Sequence, residues 1–189
     1  MGMLARGASA TAGDNLAGLV DLVSGVPLVT RRPLGASEDG YRRRMFGESR
    51  DDLLILPEDV RGPLADMQYR GWCRQIAADH PAAAHEALVA DGTDAGLLVL
   101  DQDTERVHVV DIVVTREQRR RGIGSSAMRL VIAEAGNRIV TLLVWSGNVA
   151  AWSLYERLGF VVTTTIGEGH LRMEHRPVEG RPVEGGSGR

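Results

Sequence analysis

The chain has 189 residues, of which 43% are hydrophobic and 25% charged, the size and composition of one folded domain. Its formal net charge of −3 gives no reason to expect attraction of the whole chain to nucleic acid or to a membrane surface. The single cysteine, Cys73, excludes a disulfide framework and a cysteine-based zinc site, and no apolar run reaches the roughly 18 residues of a membrane span. We therefore expect a soluble, cytoplasmic protein.

Both ends of the chain differ in composition from its middle. Residues 1–25 are rich in glycine, alanine and serine without a firm periodicity, which predicts a flexible N-terminal extension. The motif Arg-Pro-Val-Glu-Gly occurs twice in succession from Arg176 and is followed by Gly-Ser-Gly-Arg, which predicts a disordered tail over residues 177–189. A single domain is therefore expected over residues 26–176.

The first part of this domain is predicted to contain a strand, two helices and three further strands. In chain order they cover Val26–Thr30, Glu38–Glu48, Glu58–Asp79, His85–Ala90, Gly96–Leu100 and Val107–Thr115. The second helix follows Pro57 and stops before Pro81, and Asp91-Gly92 between two strands is a strong hairpin signal. The last strand of this series, His-Val-Val-Asp-Ile-Val-Val, is the most hydrophobic segment, so we expect it at the centre of the sheet.

In the remainder of the domain, helices alternate with strands. The predicted elements are a helix over Gly124–Ala135, a strand over Arg138–Trp145, a helix over Asn148–Leu158, and a final hairpin of Phe160–Thr165 and Gly169–His175. Hairpins followed by strand–helix–strand units indicate an α/β fold with one mixed sheet, and not a doubly wound parallel sheet.

A glycine loop follows the hydrophobic strand and opens a helix. Arg116–Arg121 holds four arginines and one glutamate, and Gly122-Ile123-Gly124-Ser125 comes next. The exposed N–H groups at a helix N-terminus bind anions, and glycines let the anion approach the backbone closely. The positive charge of the segment suits a ligand with several phosphates.

Three kinds of phosphate site compete for this loop. A P-loop is excluded because it requires a lysine, and every basic residue of this chain is an arginine. A dinucleotide site fits Gly122, Gly124 and Ala127, but the acidic ribose ligand expected about 20 residues later is missing from Leu142–Ser146. The third interpretation is a site for the pyrophosphate of coenzyme A.

Two motifs resemble those of the GNAT superfamily of acyl-CoA N-acyltransferases. The family motif Gln/Arg-x-x-Gly-x-Gly/Ala is matched by Arg119, Gly122 and Gly124, although Arg120 replaces a common glycine and Arg116 a common proline. The segment from Asn148 to Phe160 resembles the signature Asn-x-x-Ala-x-x-Leu-Tyr-Glu-x-Leu-Gly-Phe almost throughout. The resemblance covers about residues 25–176.

This resemblance implies a fold and a cosubstrate. The fold is a central, mostly antiparallel sheet of about seven strands flanked by about four helices, and the cosubstrate is acetyl-CoA with no metal. The residues implied in binding coenzyme A are Ile112, Val113 and Val114 through the main chain, Arg119, Arg120, Arg121, Gly122, Ile123, Gly124 and Ser125 of the loop, and Asn148, Ala151 and Tyr155 of the second motif.

The chemistry of acetyl transfer requires a proton donor for the leaving thiolate. A tyrosine, with an ordinary pKa near 10, can donate to a thiolate whose conjugate acid lies near 8.5, and the resemblance implies that Tyr155 has this role. Some relatives carry a glutamate that acts as the general base where this chain has Leu143. Asp111 and His108 therefore remain as candidates for the general base. A regular strand would place these two on opposite faces unless a bulge intervenes, and a chain of waters is an alternative base.

The amine acceptor is not named by the sequence. In the family its specificity comes from the first two helices and the last hairpin, and the candidates around them are Met67, Tyr69, Trp72 and Trp145. We expect an N-acetyltransferase acting on a primary amine of a small molecule or peptide. The alternative is a non-catalytic acyl-CoA-binding sensor or scaffold of the same fold. Nucleic-acid binding by the arginine cluster is disfavoured by surrounding acidic residues, and a homodimer stays open.

Overall fold

The computed structural model describes residues 27–177. The predicted flexible extension (residues 1–25) and the predicted disordered tail (residues 177–189) lie outside this range, apart from Pro177. Within it the chain forms one seven-stranded sheet with helices on both faces.

The sheet is mixed but mostly antiparallel. Its strands are β1 Val29–Pro33, β2 Ala84–Ala90, β3 Thr93–Gln102, β4 Arg106–Val114, β5 Ile139–Trp145, β6 Val161–Ile166 and β7 His170–His175. They are ordered β1-β2-β3-β4-β5-β7-β6, and only β4 and β5 run parallel. The strand predicted to be central, β4, is the fourth of the seven, so that prediction is confirmed.

Four helices cover the sheet. They are α1 Asp39–Glu48, α2 Glu58–Asp79, α3 Ile123–Ala135 and α4 Val149–Arg157, and each predicted boundary agrees to within one residue. Buried residues of α1 and α2 pack with one side of the sheet, and those of α3 and α4 pack with the other. We call these sides the α1/α2 face and the α3/α4 face.

The first strand lies further along the chain than predicted. It was expected over Val26–Thr30, but it forms over Val29–Pro33 and includes two arginines. Arg31 is paired with Glu86 at 2.9 Å, and Arg32 with Asp94 at 2.8 Å. These acidic partners come from distant segments of the chain, and they allow two arginines to lie in an edge strand. The hydrophobic pattern of the local sequence does not predict such a strand.

The first hairpin forms as predicted. Asp91 and Gly92 have φ angles of 50° and 77°, the two left-handed residues that a tight two-residue hairpin turn requires. The strand after the turn is longer than the predicted Gly96–Leu100, since it continues on both sides to Thr93–Gln102.

The central strand β4 is irregular at two places. Val109 pairs with Leu100 and Asp111 pairs with Val99, so Val110 between them is the extra residue of a bulge. β4 also pairs with β5 only over Arg106–Val109, beyond which β5 pairs with β7 alone. The C-terminal halves of β4 and β5 therefore separate, and we call the space between them the β4–β5 gap.

Gly96 of β3 sets the close approach of β3 to β4 near this gap. A Cβ atom at Gly96 would lie 2.1 Å from the Val113 carbonyl oxygen, and the Tyr41 hydroxyl donates a hydrogen bond of 2.6 Å to the Gly96 carbonyl. We expect Gly96→Ala to lower the free energy of unfolding by about 3 kcal/mol, because backbone must move to admit the methyl group. Chemical denaturation measures this change.

Gly71→Ala is the matched control for that substitution. A Cβ atom at Gly71, inside α2, meets no atom within 4 Å, so alanine there should be neutral or should stabilise by about 0.5–1 kcal/mol through helix propensity. Equal unfolding midpoints for Gly96→Ala and the unmodified chain would contradict the close approach.

Candidate functional site

The loop before α3 presents unpartnered backbone N–H groups. Within α3 the first hydrogen bond runs from the Ser126 N–H to the Gly122 carbonyl at 2.9 Å, so the four N–H groups of residues 122–125 have no intrahelical acceptor. Gly122 is the N-cap residue with a φ of 84°, and it receives no side-chain cap. Arg120 is also left-handed, with a φ of 62°. Such turns can gather N–H groups into a concave anion site, and the anion site predicted from the sequence stays a prediction.

The arginines of the loop divide into two groups. Arg116 and Arg119 both donate to Asp51, at 2.7 and 2.6 Å, and they hold the pKa of that carboxyl below its usual range. Arg119 also donates to the Val114 and Glu48 carbonyl oxygens, so its guanidinium ties the loop to β4 and to α1. If Arg119 contacts coenzyme A as predicted, the same guanidinium must also keep these hydrogen bonds within the protein.

Arg120 and Arg121 extend towards solvent instead. Arg121 is exposed and contacts Gln118 and Asp91. Arg120 is also exposed, and among residues 27–177 it has no hydrogen-bonded or ion-paired partner. Of the four arginines, Arg120 is the one whose charge is available to a phosphate.

Replacing Arg120 with glycine should separate its backbone strain from its charge. A left-handed conformation costs a non-glycine residue roughly 1 kcal/mol, so Arg120→Gly should leave stability unchanged or improve it by up to about 1 kcal/mol. Loss of the charge should weaken acetyl-CoA binding at low salt and have less effect at high salt. Thermal unfolding and calorimetric titration at two salt concentrations measure both effects.

Arg120→Ala is the control for this prediction. It removes the same charge but keeps a Cβ atom in the left-handed conformation, so it should weaken binding equally without the gain in stability. Unchanged affinity of both variants at low salt would exclude Arg120 from the phosphate site.

Three predicted binding segments meet at Gly124. A Cβ atom added to it would lie 3.9 Å from Leu154 of α4 and 3.9 Å from Val114 of β4. The start of α3 therefore touches both the end of the central strand and the helix of the second motif. At the start of α4 the Asn148 side chain accepts a hydrogen bond of 3.2 Å from the Ala151 N–H, as an N-cap does.

Tyr155 lies in the core on the α3/α4 face. It is 7% exposed, and its ring packs against Phe160 with centroids 5.8 Å apart. Burial, and next the charge of Asp111, raises the pKa of Tyr155 to about 12. The phenol therefore keeps its proton over the whole physiological pH range.

The bulge in β4 places Asp111 on the α1/α2 face. Its strand partner Val99 is in the core of that face, and the Trp72 side chain of α2 lies close to its carboxyl. Burial raises the pKa of Asp111 to about 6, against the smaller opposing effects of the nearby Ile112 backbone and Trp72 side chain. A carboxyl with this pKa can exchange protons near neutrality.

The same bulge brings His108 to the α1/α2 face, but with other partners. Its Nδ1 is 2.8 Å from the Thr141 hydroxyl of β5, and its ring stacks on His80 with centroids 5.2 Å apart. Burial lowers the pKa of His108, and the charges of His80 and Arg172 lower it further. His108 thus links β4 to β5 at the base of the β4–β5 gap.

The candidate acid and base lie on opposite faces of the sheet beside the β4–β5 gap. Tyr155 is in the core on the α3/α4 face, and Asp111 contacts α2 on the α1/α2 face. Ile112 and Val114 pack towards α3 while Val113 packs towards α1, so the strand between acid and base is held from both sides. A thioester in the gap could be protonated from one face and attacked from the other.

Of the four predicted acceptor residues, only Tyr69 and Trp72 are brought together: their rings stack with centroids 5.8 Å apart. Trp72 contacts Asp111 and packs edge-on against His85, whereas Met67 and Trp145 are 56% and 57% exposed at separate places. Tyr69 is buried and donates a hydrogen bond of 2.6 Å to Asp39, so it joins α2 to α1. Only Trp72 of the four lies at the candidate base.

Several contacts of the site had no signal in the sequence. Leu143, where some relatives carry a glutamate, is 45% exposed on β5 and lies opposite Arg172 of β7. Asp51 is paired with Arg116, and Asp52 with Arg50. In residues 27–177 no cluster of three or more His, Cys, Asp or Glu side chains could hold a metal, and no helix there has the length and apolarity of a membrane span.

Known structures share this architecture at low sequence identity. PaiA N-acetyltransferase from Thermoplasma acidophilum, in complex with coenzyme A, is 18% identical, with a TM-score of 0.59 over 79% of this chain and 99% of that one. Spermidine N-acetyltransferase from Vibrio cholerae, in complex with CoA and spermine, is 15% identical, with a TM-score of 0.56 over 78% and 95%. No curated protein sequence matches the chain significantly.

A family model provides the identification that these structures alone do not. The model described as the acetyltransferase (GNAT) family matches residues 51–160. That range includes β4, the glycine loop and α4, the elements that form the candidate site. This chain belongs to the GNAT acetyltransferase family.

Proposed function

We propose that this protein transfers an acetyl group from acetyl-CoA to a primary amine by direct attack within a ternary complex. The observation that carries the proposal is the β4–β5 gap, with a buried tyrosine on one face and a carboxyl of raised pKa on the other. The two N-acetyltransferases of similar structure described above are both complexes with coenzyme A.

Coenzyme A would be held by the backbone of the loop and strand. The N–H groups of residues 122–125 suit the pyrophosphate, and the charge of Arg120 adds attraction. Beyond Val109 the edge of β4 that faces β5 has no strand partner, so Ile112, Val113 and Val114 can offer main-chain groups to the pantetheine arm and the thioester oxygen.

Asp111 and Tyr155 would handle the two protons of the transfer. The amine nitrogen bonds to the thioester carbon and the carbon–sulfur bond breaks, while Asp111 accepts a proton from the nitrogen. Tyr155 donates a proton or a hydrogen bond to the leaving sulfur, and its pKa of about 12 keeps the donor protonated. His108 is placed to position β4 against β5 rather than to meet the amine.

One observation favours a second function without catalysis. The position at which some relatives carry a basic glutamate is Leu143, whose exposed side chain cannot take a proton. If Asp111 does not act as the base, the fold would bind acetyl-CoA as a sensor or scaffold.

Release of free thiol from acetyl-CoA distinguishes the two functions. The protein should release thiol in the presence of at least one class of amine, among polyamines, amino acids, peptides and aminoglycosides, and the acetylated amine should accumulate in equal amount. Measurable acetyl-CoA binding without turnover of any amine would refute catalysis and leave the sensor.

A further inference from the structure

A row of polar side chains crosses the sheet at the base of the β4–β5 gap. Its members are successive register partners on four strands, namely Asp101 of β3, His108 of β4, Thr141 of β5 and Glu174 of β7. Their neighbours along each strand belong to the core of the α3/α4 face, so the row lies on the α1/α2 face. We call these four residues the polar row. None of the four belongs to the apolar core of its face, so packing alone does not explain them.

Two contacts hold His108 in the middle of the polar row. Its Nδ1 and the Thr141 hydroxyl share a hydrogen bond of 2.8 Å, and because Thr141 is buried, loss of this bond would leave a polar group without a partner. The His108 ring also stacks on His80, the C-cap residue of α2, with centroids 5.2 Å apart. His80 in turn contacts the Asp101 carboxylate at 2.8 Å. His108 is therefore tied to β5 directly, and to α2 and β3 through His80.

The hydrogen bond between His108 and Thr141 lies next to the point where β4 and β5 part, which we call the fork. Val109 and Leu142 form the last pair of the two strands. His108 and Thr141 form the pair before it, and theirs is the last side-chain pair on the α1/α2 face before the fork. The bulge of β4 follows at once, and Asp111 comes directly after it.

The position of the fork determines how far the gap extends along the sheet. A strand rises about 3.3 Å per residue, so the gain or loss of one pair between β4 and β5 would move the end of the gap by that distance. A misplacement of about 1 Å between reacting groups can lower a rate by about 10²-fold. The bulge also leaves Val110 unpaired with β3, so fewer backbone hydrogen bonds hold β4 at this point. A side-chain hydrogen bond beside the fork opposes such movement.

We propose that His108 and Thr141 are positioning residues, whose hydrogen bond fixes the fork and thereby sets the place of Asp111 beside the thioester. Neither side chain touches the reacting atoms, since each acts through the path of β4. This inference rests on the proposed acetyl transfer and adds Thr141 to the residues that it needs. A positioning residue has only to hydrogen-bond, whereas a general base must accept a proton, so substitutions distinguish the two roles of His108.

Removal of the hydrogen bond from either side should have the same effect. Thr141→Val keeps the shape of the side chain and loses the hydroxyl, and His108→Ala loses the ring. Each should lower kcat about tenfold, with the amine of the panel above that releases thiol fastest as the acceptor. KM for acetyl-CoA should change by less than about twofold, because the glycine loop lies beyond the opposite end of β4. The double variant should be no slower than His108→Ala alone.

Conservative variants separate positioning from proton transfer. His108→Asn offers an amide in place of the ring nitrogen and accepts no proton near neutral pH, and Thr141→Ser keeps the hydroxyl. Both should keep kcat within about threefold of the unmodified chain. Thr165→Val, on the exposed strand β6, is the matched control and should change neither kcat nor KM. A kcat of His108→Asn as low as that of His108→Ala, or an unchanged kcat in Thr141→Val, would overturn the inference.

Hydrogen exchange measures the state of the fork without turnover. In the protein without coenzyme, Thr141→Val should speed the exchange of the backbone amides of residues 107–109 and 140–142 about tenfold, whereas Thr141→Ser and Thr165→Val should not. Faster exchange in Thr141→Val, together with no turnover of any amine by the unmodified chain, would support the fixed fork and refute the proposed function. Exchange that Thr141→Val leaves unchanged at these amides would overturn the inference.

Discussion

Tyr155→Phe is expected to lower kcat by about 10²- to 10³-fold while KM for acetyl-CoA changes little, because the variant keeps the ring and loses only the proton donor. The ring fills the α3/α4 core beside Phe160, and phenylalanine preserves that packing. Initial rates of thiol release at saturating acetyl-CoA measure the effect.

Tyr41→Phe is the matched control for this prediction. The Tyr41 hydroxyl donates a hydrogen bond to the Gly96 carbonyl and does not reach into the β4–β5 gap. The variant should therefore lose about 1 kcal/mol of stability and keep its full activity. Full activity of Tyr155→Phe at every pH would show that another group protonates the thiolate.

Asp111→Asn is expected to lower activity strongly and to stabilise the protein. Transfer above pH 7 should fall about 10²-fold, and the rate increase with an apparent pKa near 6 should disappear from the pH profile. Thiol release measured from pH 5 to pH 9 records both, with the amine held at a constant concentration of its neutral form.

The stability effect of the same variant follows from the raised pKa. Because folded Asp111 has a pKa of about 6 and an unfolded aspartate about 3.9, the folded state binds the proton more tightly and stability falls as the pH rises through this interval. The loss in free energy of unfolding from burying the ionised Asp111 carboxylate is fully present above pH 6 and amounts to at most about 3 kcal/mol.

Asparagine should therefore stabilise the protein at pH 8 and have little effect at pH 4, as chemical denaturation at the two pH values would show. Asp59→Asn, on the exposed first turn of α2, should change neither activity nor the pH dependence of stability. A stability difference for Asp111→Asn that is the same at pH 4 and pH 8 would contradict the burial of the ionised carboxyl.

Local sequence signals predicted the helices and the central strand. Prolines bounded α2, an asparagine capped α4, and the run of apolar residues marked β4, since each of these signals acts within a few residues of the element it defines. The strand β1 was misplaced because its arginines are stabilised by Glu86 and Asp94, which lie more than 50 residues away in the chain.

The candidate site was predictable only in part for the same reason. The glycine loop and Tyr155 belong to motifs that the sequence shows. Whether His108 and Asp111 lie on the same face of β4 depends on a bulge, and the sequence does not show whether that bulge forms. The hydrogen bonds from Arg116 and Arg119 to Asp51 span 65 and 68 residues, so tertiary packing alone brings them together. Trp72 likewise reaches Asp111 only because α2 packs across β4.

A crystal structure with acetyl-CoA bound tests the central claim most directly. The account predicts that the pyrophosphate lies on the N–H groups of residues 122–125, that the pantetheine arm follows β4 into the β4–β5 gap, and that the sulfur is within hydrogen-bond reach of the Tyr155 hydroxyl. A coenzyme bound elsewhere, or a thioester remote from both Tyr155 and Asp111, would contradict the account.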